Sequence, residues 1–270
     1  VVDISGLLKA NISFNTSLPG RRGNLVEREV KGPLAIIGDL HGERNSLESI
    51  VDMVHHLAEG AEYRVTWFFL GDYVDRGPDS VGVLEEILSF ALENESDTVL
   101  LRGNHEDRRM NMFYGFATEL AMKNMDNIVP LLEEWYESLP LIAVADPIVM
   151  LHGGPPFPLP SSADSFSGIK FPEPQAMHIL WSDPYDEFYE NRGGGTRSFS
   201  KKECEHFLRL MHCSVLIRGH QYVPGRGYKI NFGSCLTLFS ASYGKGWPRC
   251  FVYMDDTGQV SELEKHVYAI

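Results

Sequence analysis

Cysteine is scarce in this sequence: four in 270 residues, at Cys204, Cys213, Cys235 and Cys250, with no Cys-x-x-Cys pair. That usage argues against a disulfide-stapled scaffold or a thiolate zinc site. It fits a reducing compartment, so the expected location is cytoplasmic or nuclear. Long apolar runs are also lacking, and none reaches the roughly 20 residues that span a bilayer. The chain starts at Val1 with neither an initiator Met nor the basic stretch of a signal peptide, which reads as a trimmed or processed chain. Positive charge is in deficit: 24 Lys and Arg face 37 Asp and Glu, for a net charge of −13. A field of that sign repels nucleic-acid backbones and anionic membranes, so neither is expected as a partner. No repeat and no clear linker break the sequence, which points to one domain. Asn-x-Ser/Thr triplets at Asn11, Asn15 and Asn94 arise often by chance and weigh little against an intracellular protein.

What is present is an ordinary globular composition, 43% hydrophobic and 23% charged, long enough to bury a sizeable core. In the first half, short apolar runs end in polar clusters. Leu34–Ile37 precedes Gly38-Asp39, residues 65–70 precede Gly71-Asp72, and residues 98–101 precede Arg102-Gly103-Asn104. Between them, residues 45–58 and 79–92 carry apolar side chains at the three- and four-residue spacing of helices. Asp39 and Asp72 are 33 residues apart, and Asp72 and Asn104 are 32 apart, about the length of a β-α-β unit. Each cluster therefore falls just past the carboxyl end of a strand, where open α/β sheets place their sites. Residues 113–139 read as helical, with Trp135 and Tyr136 as core. Strands are expected over 141–145, 147–151, 214–217, 235–239 and 250–254. A Pro- and Gly-rich stretch over 155–195 reads as surface.

The clusters are rich in metal-ligand residues. In Gly-Asp-Leu-His-Gly, Asp39 and His41 stand two apart on an extended segment, so a carboxylate and an imidazole can grip one ion. Asp72 in Gly-Asp-Tyr-Val-Asp-Arg-Gly has two oxygens that can bridge two ions. Asn104 in Gly-Asn-His-Glu offers an amide oxygen, and His152 and His220 each end a later strand. Singly, a strand-end Asp is more often a cap and a lone His a satisfied polar group, so one motif carries a metal role about one time in four. Five such motifs in fixed order, each flanked by glycine, are hard to obtain by chance.

These motifs resemble the PPP family of serine/threonine protein phosphatases, within the calcineurin-like metallophosphoesterases. The same family segments are echoed in Trp181-Ser182-Asp183-Pro184 and in Leu236-Thr237-Leu238-Phe239-Ser240-Ala241. The resemblance runs over residues 34–254. It implies an α/β fold with a central β-sandwich flanked by helices, a catalytic domain over 33–270 and an N-terminal extension over 1–32. It also implies two divalent ions, manganese or an iron and zinc pair. Asp39, His41 and Asp72 would hold one, and Asp72, Asn104, His152 and His220 the other. Paired ions would activate a bridging hydroxide to attack phosphorus in line. His105 would act as general acid, oriented by Asp75, with Arg76, Arg192, Asn104 and Tyr243 at the substrate phosphate. Arg197 stands close enough in sequence to compete with Arg192.

The resemblance points to a phosphoserine or phosphothreonine protein as substrate, with regulatory subunits as further partners. Two rivals stay open: a dinucleoside polyphosphate hydrolase on the same core, for which Tyr222, Tyr228 and Trp247 could stack a base, and an inactive scaffold. Cysteine-phosphatase chemistry is set aside, because Cys213 and Arg218 have four residues between them where that loop needs five. His55, His56, His178, His206, His212 and His266 fall outside any ligand motif.

Overall fold

The computed structural model describes residues 2–185 and 197–270. The chain opens with helix α1 (Ile4–Thr16), strands β1 (Arg21–Arg22) and β2 (Leu25–Glu27), and then β3 (Leu34–Ile37). Two crossovers follow: α2 (Arg44–Leu57) leads to β4 (Thr66–Phe69), and α3 (Ser80–Glu93) to β5 (Thr98–Leu100). Strand β4 pairs in parallel with both β3 and β5, as the repeated spacing of the acidic clusters predicts. Helices α4 (Arg108–Tyr114), α5 (Phe116–Met122) and α6 (Val129–Ser138) come next. The single helical region expected over 113–139 is broken twice: Gly115 at φ 113° ends α4, and Asn124 at φ 56° lies in the turn between α5 and α6. Strands β6 (Ile142–Ala145) and β7 (Ile148–Leu151) precede α7 (Pro174–Trp181), the short strands β8 (Asp183–Pro184) and β9 (Ser198–Phe199), and α8 (Lys201–Leu210). The chain closes with β10 (Val215–Arg218), β11 (Tyr228–Asn231), β12 (Cys235–Leu238), β13 (Cys250–Met254) and β14 (Val267–Ala269).

Two large sheets result, one five-stranded in the order β14-β13-β3-β4-β5 and one seven-stranded in the order β1-β2-β6-β7-β10-β12-β11. The period of two along a strand sorts the second sheet's side chains between two cores. Ala143, Ala145, Ile148, Met150, Ile217, Leu236 and Leu238 join the cluster shared with the five-stranded sheet. Their neighbours Ile142, Val144, Val149, Leu151 and Leu216 join a second cluster with α7 and α8. The architecture is thus the expected sandwich of sheets with helices outside it.

Two sequence expectations are amended by this packing. The stretch over 155–195 is not all surface, since Phe166, Ile179 and Leu180 are buried in the second cluster. The segment over 1–32 is expected as an extension, but its described residues, 2–32, pack closely on the rest. Leu8 is fully buried, Asn11 Nδ2 donates to Leu88 O of α3 at 2.9 Å, and β2 pairs in parallel with β6.

Candidate metal centre and active site

The two sheets meet at one end through an isolated parallel bridge between Asp39, just past β3, and Phe239, just past β12. Gly38 is required there, because a Cβ would lie 2.5 Å from Leu238 O. The carboxyl ends of β3, β4, β5, β7, β10 and β12 deliver Asp39 and His41, Asp72 through Arg76, Asn104 and His105, His152, His220 and Tyr243 in turn. The turns that do this are strained. His41, Asp72, Asp75, Arg76, His220 and Tyr243 all have φ between 43° and 73°, a conformation that costs side-chain-bearing residues roughly 1–2 kcal/mol each. Such strain persists only where surrounding contacts over-determine the backbone, and it concentrates at functional sites.

The six predicted ligand residues converge. His41 Nε2 lies 3.4 Å from Asp72 Oδ2 and 3.8 Å from Asp39 Oδ2. His152 Nε2 lies 3.4 Å from Asp72 Oδ1 and 2.9 Å from Asn104 Oδ1, and His220 Nδ1 is 2.7 Å from the same amide oxygen. Asp72 belongs both to a group with His41 and to one with His152 and His220, in each of which the donor atoms lie within 4.8 Å of one another. It is therefore placed to bridge. The opposite ring nitrogens of two histidines are already committed: His41 Nδ1 to Val74 O at 3.0 Å and His152 Nδ1 to Leu70 O at 2.8 Å. That backbone bond orients each ring and aims its Nε2 inward, the arrangement of metal-ligating histidines. Asp39 Oδ2 is buried without a hydrogen-bond partner, an expensive state that a cation would relieve. On these observations the donor set fits divalent metal ions.

His105 also lies within reach of His41 and Asp72, but its ring is committed elsewhere. Its Nδ1 donates to Asp75 Oδ2 at 2.7 Å, and both side chains are buried. Two neighbouring imidazoles, 4.7 Å apart between ring centres, are thereby driven in opposite directions. Burial, then the nearby His105, pulls His41 down to about 3, so it stays neutral and able to ligate. Burial alone would also lower His105, but Asp72 and then Asp75 outweigh it and the net shift is upward. Opposed shifts of this kind suit one imidazole to bind a cation and the other to carry a proton. Arg76, exposed at the rim, brings Nη2 to 3.4 Å from His105 Nε2, and its guanidinium lies 4.6 Å from the Tyr114 ring and 5.6 Å from the Tyr243 ring. Tyr243 in turn lies 5.5 Å from the His41 ring, so the predicted phosphate-facing residues Arg76 and Tyr243 do meet the ligand cluster. Arg192 lies outside the described residues. Arg197 is paired with Glu203 and stacks 4.2 Å from Phe157.

Sequence reasoning gave no role to several residues that hold this centre. Glu106 is buried, and its carboxylate accepts from the backbone N–H groups of Asp72 at 2.8 Å, Tyr73 at 3.0 Å and Gly103 at 2.8 Å. It thus pins the left-handed turn that carries Asp72 to the turn that carries Asn104. Its place in Gly-Asn-His-Glu was the one available signal. Arg102 in turn donates to Glu106 O through Nε at 3.2 Å and Nη2 at 2.9 Å. The Trp181-Ser182-Asp183-Pro184 segment is anchored by buried Arg218, whose Nη2 is 3.1 Å from Asp183 Oδ1, and Trp181 packs edge-on 5.6 Å from His220. Among the histidines left without a ligand role, His55 packs on Trp67 and His178 accepts from Phe157 N at 3.0 Å. Asn11 and Asn15 are fully buried and hydrogen-bonded within the fold, so those two triplets are structural.

Comparison with known proteins agrees with this geometry. The family model described as Calcineurin-like phosphoesterase matches residues 32–224. A serine/threonine-protein phosphatase of Caenorhabditis elegans is 32% identical over 228 residues, covering 80% of this chain and 48% of the relative. A protein phosphatase 2A catalytic subunit of Dictyostelium discoideum is 33% identical over 229 residues, covering 79% of this chain and 70% of the relative. A protein serine/threonine phosphatase from Saccharomyces cerevisiae, similar to human phosphatase PP5, superposes with a TM-score of 0.81 over 95% of this chain and 82% of its own, at 24% identity. The chain thus spans about half the length of the nematode relative.

Proposed function

The chain belongs to the calcineurin-like phosphoesterase family, and on that premise we propose that it is a metal-dependent phosphomonoesterase acting on phosphoserine and phosphothreonine proteins. The observation that carries this reading is the meeting of six ligand-type residues with a buried His105–Asp75 pair at one end of the two sheets. That these relatives are protein phosphatases favours a phosphoprotein substrate over a dinucleotide. An inactive scaffold would have no need to keep every ligand position and the acid pair.

Asp39, His41 and Asp72 would hold one divalent ion, and Asp72, Asn104, His152 and His220 the other. Bound ions supply Lewis acidity at phosphoryl oxygens and lower the pKa of water. Two carboxylates, an amide oxygen and three imidazoles, without thiolate, suit manganese or an iron and zinc pair. Arg76 presents a guanidinium fork to the substrate phosphate, and the Tyr114 and Tyr243 rings hold that fork over the site. Asp75 keeps the proton on His105 Nδ1, which leaves Nε2 facing the reacting group. The doubly protonated His105 ring gives its second proton, the one on Nε2, to the departing serine or threonine oxygen, which leaves poorly as an alkoxide, and the ring is left neutral with its remaining proton on Nδ1. In this reading residues 33–270 form the catalytic unit, and α1 and β2 before it are part of its packing. The net charge of −13 favours substrates with basic residues near the phosphate and disfavours nucleic acid and anionic membranes. Cysteine usage favours a cytoplasmic or nuclear location, where regulatory subunits could direct the enzyme.

The test is a parallel assay of one manganese-loaded preparation on a basic phosphoserine peptide and on diadenosine tetraphosphate. Higher kcat/KM on the peptide is expected. Far more efficient cleavage of the dinucleotide would overturn the substrate assignment.

A further inference from the structure

We propose that Asn111 is a positioning residue for the proton donor, clamping His105 and its partner Asp75 from behind the site. This inference rests on the reading of His105 as the general acid. Asn111 lies in α4, only 5% exposed, and every polar atom of its amide is used. Its Nδ2 donates to Asp75 Oδ2 at 2.9 Å and to His105 O at 2.8 Å. Its Oδ1 accepts from Tyr136 Oη at 2.9 Å. The orientation of the amide follows from this inventory. A carboxylate oxygen and a carbonyl oxygen only accept, so the NH2 must face them, and the phenol then donates to the remaining oxygen.

The consequence lies in what Asn111 joins. Asp75 Oδ2 takes both the Asn111 amide and His105 Nδ1, while Asp75 Oδ1 takes Phe116 N at 3.0 Å. One amide therefore grips the imidazole's carboxylate partner and the imidazole's own backbone. Tyr136, on α6 and 2% exposed, holds that amide in register. Helices α4, α5 and α6, which contribute none of the predicted ligands, thus converge on the acid pair. Removing the amide leaves the imidazole and its carboxylate partner free to shift. A proton donor is sensitive to that, because misplacement by about 1 Å can cost on the order of a hundredfold in rate.

The experiment uses the full chain loaded with manganese, a phosphoserine peptide and p-nitrophenyl phosphate, whose leaving group departs without a proton. Asn111→Ala is expected to lower kcat on the peptide roughly 10–100-fold with little change in KM, and to lower it on p-nitrophenyl phosphate by less than about threefold. In a His105→Asn background, Asn111→Ala should cost nothing further on the peptide, because its effect runs through the histidine. Tyr136→Phe keeps the ring and removes only the hydroxyl. It should show the same selectivity at smaller size, and it stands in if Asn111→Ala does not fold. A readout independent of activity is the His105 Nδ1 proton resonance in metal-free protein, expected to be slow to exchange in the parent and fast in Asn111→Ala. Equal losses on both substrates, or an undiminished loss in the His105→Asn background, would overturn the proposal. If His105→Asn by itself costs the same on both substrates, the acid assignment falls and this inference with it. If His105→Asn is selective and the Asn111 and Tyr136 variants are not, this inference alone falls.

Discussion

Asp75→Asn changes one oxygen to nitrogen at the buried acid pair, and the structure sets its cost. The Asp75 carboxylate accepts from His105 Nδ1 at 2.7 Å, Asn111 Nδ2 at 2.9 Å and Phe116 N at 3.0 Å. An amide has a single oxygen and cannot satisfy both sides. If that oxygen takes the Oδ2 place, the new NH2 faces the Phe116 N–H, donor against donor. If it takes the Oδ1 place, the NH2 faces Asn111 and pushes His105 to accept at Nδ1. One buried donor left unmatched costs about 1–3 kcal/mol, and bonds demoted from charged to neutral lose roughly half their strength. The variant should therefore be destabilised by roughly 2–4 kcal/mol, measured by urea unfolding of metal-loaded protein. The catalytic effect is separate. Losing the carboxylate removes the hydrogen-bonded one of the two carboxylates that favour protonated His105, so kcat on a phosphoserine peptide should fall roughly 10²–10³-fold. The fall on p-nitrophenyl phosphate should be much smaller. A variant within about 0.5 kcal/mol of the parent, with the ratio of the two activities unchanged, would refute the reasoning from hydrogen-bond inventory.

Three further outcomes are expected. Exhaustive chelation should abolish activity and manganese should restore it, with Asp72→Asn the most damaging ligand variant because Asp72 sits in both groups; full activity in protein shown by elemental analysis to be metal-free would end the metal assignment. Arg76→Ala should leave the fold intact, since the side chain is exposed, and lower kcat/KM on phosphopeptide by roughly 10–100-fold for the loss of a charge-assisted contact; an unchanged value would remove Arg76 from the substrate site. Leu8→Ala should cost about 2–5 kcal/mol by opening a cavity beneath α1, read from the shift in urea midpoint, and a cost near zero would mean that α1 does not hold the core together.

The ligand clusters were legible in the sequence because they are local. Each is a short polar motif fixed to the end of an apolar run, and strand pattern and chain spacing together place such ends on one side of a parallel sheet. For the same reason the runs over 34–37, 66–69 and 98–100, and the two crossover helices, appear in the structure within a residue or two of their expected bounds. Helix α1 and strand β2 were missed because their partners, α3, α6 and β6, lie far along the chain. Local propensity carries no record of such pairing.

By itself, then, the sequence determined the alternation of strands and helices over residues 34–101 and the ligand-type residues at the strand ends, while its resemblance to a phosphatase family implied the pairing of His105 with Asp75. The first two depend on periodicity and on short-range spacing. Only the tertiary structure decided which side of the second sheet faces which core, how Glu106 ties the Asp72 turn to Gly103, and that Asn111 and Tyr136 stand behind His105. Those are contacts between segments that meet only when the chain has closed. Their hydrogen bonds form where burial makes an unmatched donor or acceptor costly, so it is the finished packing that selects them.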